Sequence, residues 1–132
     1  LVRCGFFLGA AFQIRDDILN LIGGDAYGKE RSGDLREGKR TLMLIHLLRV
    51  ATDEERRRLA SYLSGSRRSP AAIEEVRAML DRYGSIAFAD RFAQGIARSA
   101  EVAFEEAFGG VPDSSDLRFI EAMVPFMVER DR

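Results

Sequence analysis

Residues 2–22 read Val2-Arg3-Cys4-Gly5-Phe6-Phe7-Leu8-Gly9-Ala10-Ala11-Phe12-Gln13-Ile14-Arg15-Asp16-Asp17-Ile18-Leu19-Asn20-Leu21-Ile22. Apolar positions recur here at three and four, never in strict alternation, which predicts a helix. The stretch is apolar nearly all round until Gln13, the pattern of a central, buried helix. Gly5 and Gly9 lie four apart and would let another helix approach closely. Gly23 and Gly24 are expected to end it.

The same periodicity runs through the rest of the chain, and no window reads as a strand. The expected fold class is all-α, a bundle of about five to six helices. A glycine-rich, charged loop covers Gly24 to Gly38. A second helix is expected over about Thr41 to Val50. Thr52-Asp53-Glu54-Glu55 fits a capping box opening a third, with the Glu55 carboxylate reaching back to the Thr52 amide. That helix should stop near Gly65. Ser69-Pro70 signals the next start, with serine as cap and proline at the first helical position. This fourth helix reads to about Phe108, with a bend expected near Gly84. Phe88 with Phe92, and Phe104 with Phe108, are four apart and expected to face the core. Gly109-Gly110-Val111-Pro112 breaks it. Asp113 and Asp116 read as part of the next helix start. The last helix runs from about Ser115 to Arg130, with a kink expected at Pro125.

Bulk properties exclude several classes. Hydrophobic residues make up 46% of the 132 residues and charged residues 31%, an ordinary globular balance. The formal net charge of −1 gives no electrostatic case for nucleic acid. The longest unbroken apolar run, Cys4 to Phe12, falls short of the ~20 residues that span a bilayer. The lone Cys4 can form neither an internal disulfide nor a cysteine zinc site and reads as a small buried hydrophobe, so a cytoplasmic location is expected. His46, among Met43, Leu44, Ile45, Leu47 and Leu48, reads as a core or helix-surface histidine. Arg56 to Arg58 spread round a helix and read as a solvated face paired with Glu54 and Glu55.

The chemistry sits at the end of the first helix. At about 100° per residue, Gln13, Asp16, Asp17 and Asn20 share roughly 100° of arc. Two adjacent carboxylates on an apolar helix either mark its emergence into water or hold a metal. Hard oxygen donors that leave positions open for phosphate suit magnesium. On pattern alone the two readings stand level. The lysines add to the second. The chain has eighteen arginines and two lysines, and both lysines, Lys29 and Lys39, follow a glycine just after the Asp pair. Lysine serves phosphate as a compact point charge. Together these features point to a site for phosphate and magnesium.

Phe12-Gln13-Ile14-Arg15-Asp16-Asp17-Ile18-Leu19-Asn20, Gly28-Lys29, and Gly33-Asp34-Leu35-Arg36-Glu37-Gly38-Lys39-Arg40-Thr41-Leu42 resemble the second aspartate-rich region of the trans-isoprenyl diphosphate synthases, the polyprenyl synthetase family. The resemblance covers about thirty residues with order and spacing intact, and the later helices agree in pattern. It implies the isoprenoid-synthase bundle, with residues 1–132 as the carboxy-terminal part of a single domain. It implies a prenyltransferase joining an allylic diphosphate to isopentenyl diphosphate with Mg2+. By resemblance, Asp16 and Asp17 hold magnesium on the allylic diphosphate, Gln13 lies beside the reacting allyl group, and Lys29 and Lys39 bind the departing diphosphate. Phe12 would form part of the apolar wall around the cation. Asn20 stands where the family's last Asp of the motif stands, as in some geranylgeranyl-type members, and supplies no charged ligand.

The family places a first aspartate-rich motif upstream, and no second such helix motif occurs here. Leu1 opens directly into helix-like sequence, which reads as a piece of a longer protein, expected to be inactive alone. An all-apolar first helix needs neighbours on every side. Exposed apolar surface is therefore expected, with a homodimer or a partner synthase subunit covering it. Two other readings stand beside this one. The chain would be a non-catalytic helical partner derived from a synthase, or a class I terpene cyclase, against which the Gly33-to-Lys39 segment argues.

Overall fold

The computed structural model describes residues 2–23, 32–65 and 67–128. Among these residues the chain forms seven α-helices and no strand: α1 (Val2–Ile22), α2 (Gly33–Glu37), α3 (Leu42–Val50), α4 (Asp53–Ser64), α5 (Pro70–Arg82), α6 (Ser85–Phe108) and α7 (Ser115–Val128). The all-α expectation holds, and two helices appear beyond the sequence reading. One is α2, a five-residue turn inside the expected loop. The other comes from division of the expected fourth helix. Gly84 adopts φ +62°, a left-handed conformation that stops one helix and starts another.

The chain divides into two compact units. The first joins Leu1–Asp16 with Asp90–Arg132; the second is Asp17–Ala89. In the first unit, Cys4 packs with Ala100, Ala103 and Phe104, and Phe7, Leu8, Phe108 and Leu117 lie against them. Cys4 is the buried hydrophobe its sequence context predicts. Phe104 and Phe108 are in ring contact at 4.8 Å between centroids. In this unit the start of α1 is not the buried helix its pattern suggests, and it shows the exposed apolar surface expected of a helix short of neighbours. Val2 and Phe6 are 88% and 71% exposed, and nothing approaches within 4 Å of a side chain placed at Gly5 or Gly9. Apolar side chains are also exposed on α7, with Phe119 at 67% and Phe126 at 72%. Pro125 lies inside α7.

The core of the second unit takes Leu44 and Leu47 from α3, Leu59 from α4 and Leu80 from α5, each fully buried. Burial of each side chain contributes about 1.5–3 kcal/mol. The buried face of α6 is a row of small residues, Ser85, Ala89, Ala93, Ala97 and Ala100. That row corrects one expectation. Phe92 falls just off it and is 47% exposed, while Phe88 is half-buried and stacks on His46 with centroids 4.1 Å apart. His46 Nδ1 lies 2.9 Å from the Ser85 hydroxyl, so the histidine is a packed, hydrogen-bonded residue of α3.

The capping box forms as read. The Thr52 amide donates to Glu55 Oε2 at 3.0 Å, and the Glu55 amide donates to Thr52 Oγ1. The expected pairing of Arg56 to Arg58 with Glu54 and Glu55 is corrected. Arg56 pairs with Asp53, Arg57 Nε donates to the Asp53 carbonyl, and Arg58 reaches Glu75 at 2.8 Å. Glu55 is turned inward by its cap and is 7% exposed. It meets Arg82, and it accepts from the Tyr83 hydroxyl at 2.5 Å. The Tyr83 hydrogen bond first, then those of Thr52, hold its carboxyl well below the ordinary value of 4.5, at about 2. A carboxyl depressed in the folded state stabilises it above the unfolded value and loses that contribution as pH falls. Glu55 therefore stabilises the fold above about pH 4.5, and its contribution fades as the pH drops to about 2. Thermal melts across this window are expected to show a shallower acid slope for Glu55→Gln than for the parent. Equal slopes would remove Glu55 from the acid response.

Candidate active site

Asp17 lies on α1, and its side chain is buried although aspartate is normally solvated. It is 7% exposed. A buried carboxylate needs a counter-charge. Lys39 supplies it from 22 residues away: Nζ donates to Asp17 Oδ1 at 2.6 Å and to Asp34 Oδ2 at 3.3 Å. The hydrogen bond to Asp17 and its charge, followed by those of Asp34, raise the Lys39 pKa above its ordinary 10.5 against the opposing effect of burial. Lys39 is a fixed cation at any physiological pH. Its side chain remains 40% exposed, so the ammonium that neutralises Asp17 also faces solvent.

Local backbone chemistry delivers Lys39 to this place. Asn20 Oδ1 accepts from the Asp34 amide at 3.1 Å, and the Asn20 carbonyl accepts from the Ser32 amide at 3.2 Å. The last turn of α1 is thereby tied to the start of α2. Ser32 takes φ +63° to enter that turn. At its other end, Gly38 takes φ +74°, and the Gly38 and Lys39 amides donate to the Leu35 and Asp34 carbonyls at 3.0 and 2.9 Å. Thr41 then caps α3 through the Leu44 amide. Asn20 is thus a staple between two elements, with its side-chain oxygen already engaged. Asp34 was part of the quoted motif but was not singled out. Its spacing five residues before Lys39 is the signal that marks it.

Asp16 and Gln13 are exposed on α1, and Phe12 is half-buried. Lys29 lies outside the described residues. Within the first unit, Arg15 pairs with Asp90, which also accepts from Gln94 Nε2 at 2.8 Å. Among the described residues no group of three or more His, Cys, Asp or Glu side chains is gathered to hold a metal. The donors present are two neighbouring carboxylates, one exposed and one beside an ammonium. Magnesium keeps waters and takes only one or two carboxylates with phosphate oxygens, so this donor set fits it. The adjacent Lys39 adds a part-exposed ammonium that could meet phosphate oxygens beside these carboxylates.

The polyprenyl synthetase family pattern matches residues 1–80. The chain is 36% identical to the short chain isoprenyl diphosphate synthase of Methanothermobacter thermautotrophicus, over 98% of this chain and 37% of that protein. It is 34% identical to the geranylfarnesyl diphosphate synthase of Natronomonas pharaonis, over 96% of this chain and 34% of that protein. Among solved structures it is similar to the geranylgeranyl pyrophosphate synthetase of Pyrococcus horikoshii, with a TM-score of 0.79 and 31% identity. That match covers 98% of this chain and 38% of the other. The chain spans little more than a third of the length of these relatives. No helix among the described residues is long and apolar enough to cross a membrane.

Proposed function

This chain belongs to the polyprenyl synthetase family, and on that premise we propose that it is the diphosphate-holding part of a prenyltransferase. The proposed reaction joins an allylic diphosphate of geranylgeranyl- or farnesyl-type synthesis to isopentenyl diphosphate. Residues 1–132 would be the carboxy-terminal part of a single all-α synthase domain. The observation that carries this reading is the Asp17–Lys39 contact at 2.6 Å, made by a buried carboxylate and a part-exposed ammonium within the family-matched residues.

In this reading Asp16 and Asp17 hold Mg2+ against the allylic diphosphate. When bound, magnesium draws negative charge from the leaving diphosphate as the allylic C–O bond ionises. Lys39 and Lys29 hold the departing diphosphate by charge-assisted hydrogen bonds, which strengthen as its charge grows. Gln13 lies along the allyl group, and Phe12 keeps water from the cation. The double bond of isopentenyl diphosphate forms the new C–C bond, and a proton then leaves. Without a second aspartate-rich motif, these 132 residues alone are proposed not to turn over. A prenyl-transfer assay showing product from them would end that part of the reading.

The non-catalytic alternative rests on Asn20, which supplies no charged ligand, and on the lack of a first aspartate-rich motif in these residues; the structure bears on the Asn20 part. The bonds of Asn20 to Asp34 and Ser32 weaken that part, because an asparagine there has a structural task that needs no charge. The exposed Val2, Phe6, Phe119 and Phe126 support association with a second copy or a partner synthase subunit. A monodisperse monomer in light scattering would count against association. The lone cysteine goes with a cytoplasmic setting.

Calorimetric titration of the chain with inorganic diphosphate tests the central claim. Binding is expected with magnesium and should be much weaker without it. A folded chain that takes up no diphosphate in either condition would sink the proposal.

A further inference from the structure

Arg68 lies in the link between α4 and α5, well outside the motif that marks the site. Its side chain nevertheless reaches back to the segment that carries Lys39. Nε donates to the Tyr62 carbonyl, Nη2 to the Leu63 carbonyl and Nη1 to the Arg36 carbonyl, each at 3.1 Å. The guanidinium also lies over the Tyr62 ring, 5.1 Å from its centroid. The Tyr62 hydroxyl donates to the Leu35 carbonyl. The last turn of α4 and Arg68 thus hold two successive carbonyls at the end of α2.

Two features separate this from an ordinary helix cap. Helix α4 already has a closing bond, from the Gly65 amide to the Ser61 carbonyl at 3.2 Å. An arginine that ties down three carbonyls in two separate segments also gives up most of its rotamer freedom, an entropic cost that closing α4 does not require. The other feature is Gly38. A side chain placed there would collide with the Arg68 guanidinium, and φ +74° disfavours one in any case. Gly38 directly precedes Lys39. The backbone from which Lys39 starts is therefore seated on Arg68, while Asn20 holds the start of the same turn through Asp34.

We propose that Arg68, with the Tyr62 hydroxyl beside it, is a positioning residue for Lys39, seating the Arg36–Gly38 turn so that the lysine ammonium stands against Asp17. This rests on the reading of Lys39 as a diphosphate ligand. Lysine has four side-chain torsions, so where its ammonium rests depends on where its backbone is held. Displacement of a binding group by about 1 Å can cost as much as ~100-fold.

The test combines amide hydrogen exchange with magnesium–diphosphate calorimetry on the parent, Arg68→Met, Arg68→Lys, Tyr62→Phe and the neighbouring Arg67→Ala. Arg68→Met is expected to speed exchange at the Gly38 and Lys39 amides while the Val76 and Leu80 amides keep their protection. Its affinity for magnesium diphosphate should fall about tenfold, the loss of roughly one charged hydrogen bond. Arg68→Lys should recover part of both effects, Tyr62→Phe should show a smaller loss in both, and Arg67→Ala should change neither. Unchanged exchange at Lys39 in Arg68→Met would overturn the proposal. Faster exchange throughout the chain in every Arg68 and Tyr62 variant would overturn it too, by showing a merely structural role. If the parent binds no diphosphate, the proposed function fails, and the exchange at Lys39 still decides the part played by Arg68.

Discussion

Replacing Asp16 and Asp17 together by alanine is expected to abolish magnesium-dependent binding of diphosphate, with a loss of roughly 100-fold or more. Even outer-shell partners of a metal site are worth about 10- to 100-fold, and these two carboxylates are the proposed ligands themselves. The two do not contribute alike. Asp16 is exposed, whereas Asp17 is buried and already neutralised by Lys39. Asp16→Ala alone should therefore weaken magnesium-dependent binding with little effect on stability. Asp17→Ala alone removes a ligand and also leaves the Lys39 ammonium with Asp34 as its remaining carboxylate neighbour. Metal-free diphosphate should then bind slightly better than it does to the parent, because one of the two carboxylates no longer competes with the anion for that lysine. Calorimetry with and without magnesium separates these effects. Parent-like magnesium dependence in the double variant would remove both residues from the metal site.

Lys39→Met is expected to damage binding and stability together, and a second substitution should separate the two. Loss of the ammonium deprives a 7% exposed Asp17 of one charged partner and leaves Asp34 near it with like charge. Breaking a fully buried pair costs about 3–5 kcal/mol. The Lys39 side chain is 40% exposed, so solvent screens part of the effect. About 1–2 kcal/mol is the expected loss in urea unfolding. Asp17→Asn in the Lys39→Met background removes the carboxylate charge that the lysine offset and should restore most of that stability. It should not restore diphosphate binding, because the cation is still missing. Unfolding midpoints equal to the parent in Lys39→Met would show that the pair contributes nothing to the fold. Full diphosphate affinity in that variant would remove Lys39 from the site.

Both experiments depend on residues that were visible in the sequence for different reasons. The Asp16-Asp17 pair stood out because two carboxylates are costly on an apolar helix. Lys39 stood out because the chain otherwise uses arginine. Their contact was not legible, since nothing in a 22-residue separation says which of the two carboxylates the lysine meets. Asn20 shows the same limit. Its place in the motif suggested a weakened metal ligand, and only the position of the Asp34 amide showed a staple. Lys29 lies outside the described residues, and its proposed role rests on the resemblance.

The capping box at Thr52 and Glu55 could be read directly, because both partners lie within one turn. The destination of the Glu55 carboxylate, Arg82 and Tyr83, lies 27 and 28 residues on and could not. The same division explains Phe92, read as core from its spacing to Phe88. Spacing says that two residues share a side of a helix. It does not say which side the neighbouring helices cover, and here they cover the alanine row.

The sequence by itself determined the all-α class, most helix starts and stops, and the aspartate and lysine constellation. These depend on periodicity, capping and glycine placement, interactions that act within about one helical turn. Tertiary structure alone decided that Asp17 is the buried carboxylate, that Lys39 serves it, that Asn20 ties α1 to α2, and that Arg68 seats the turn before Lys39. Each of these joins residues far apart in the chain. Such contacts form only when burial of apolar side chains has brought separate helices together, and that burial is a property of the whole packed unit.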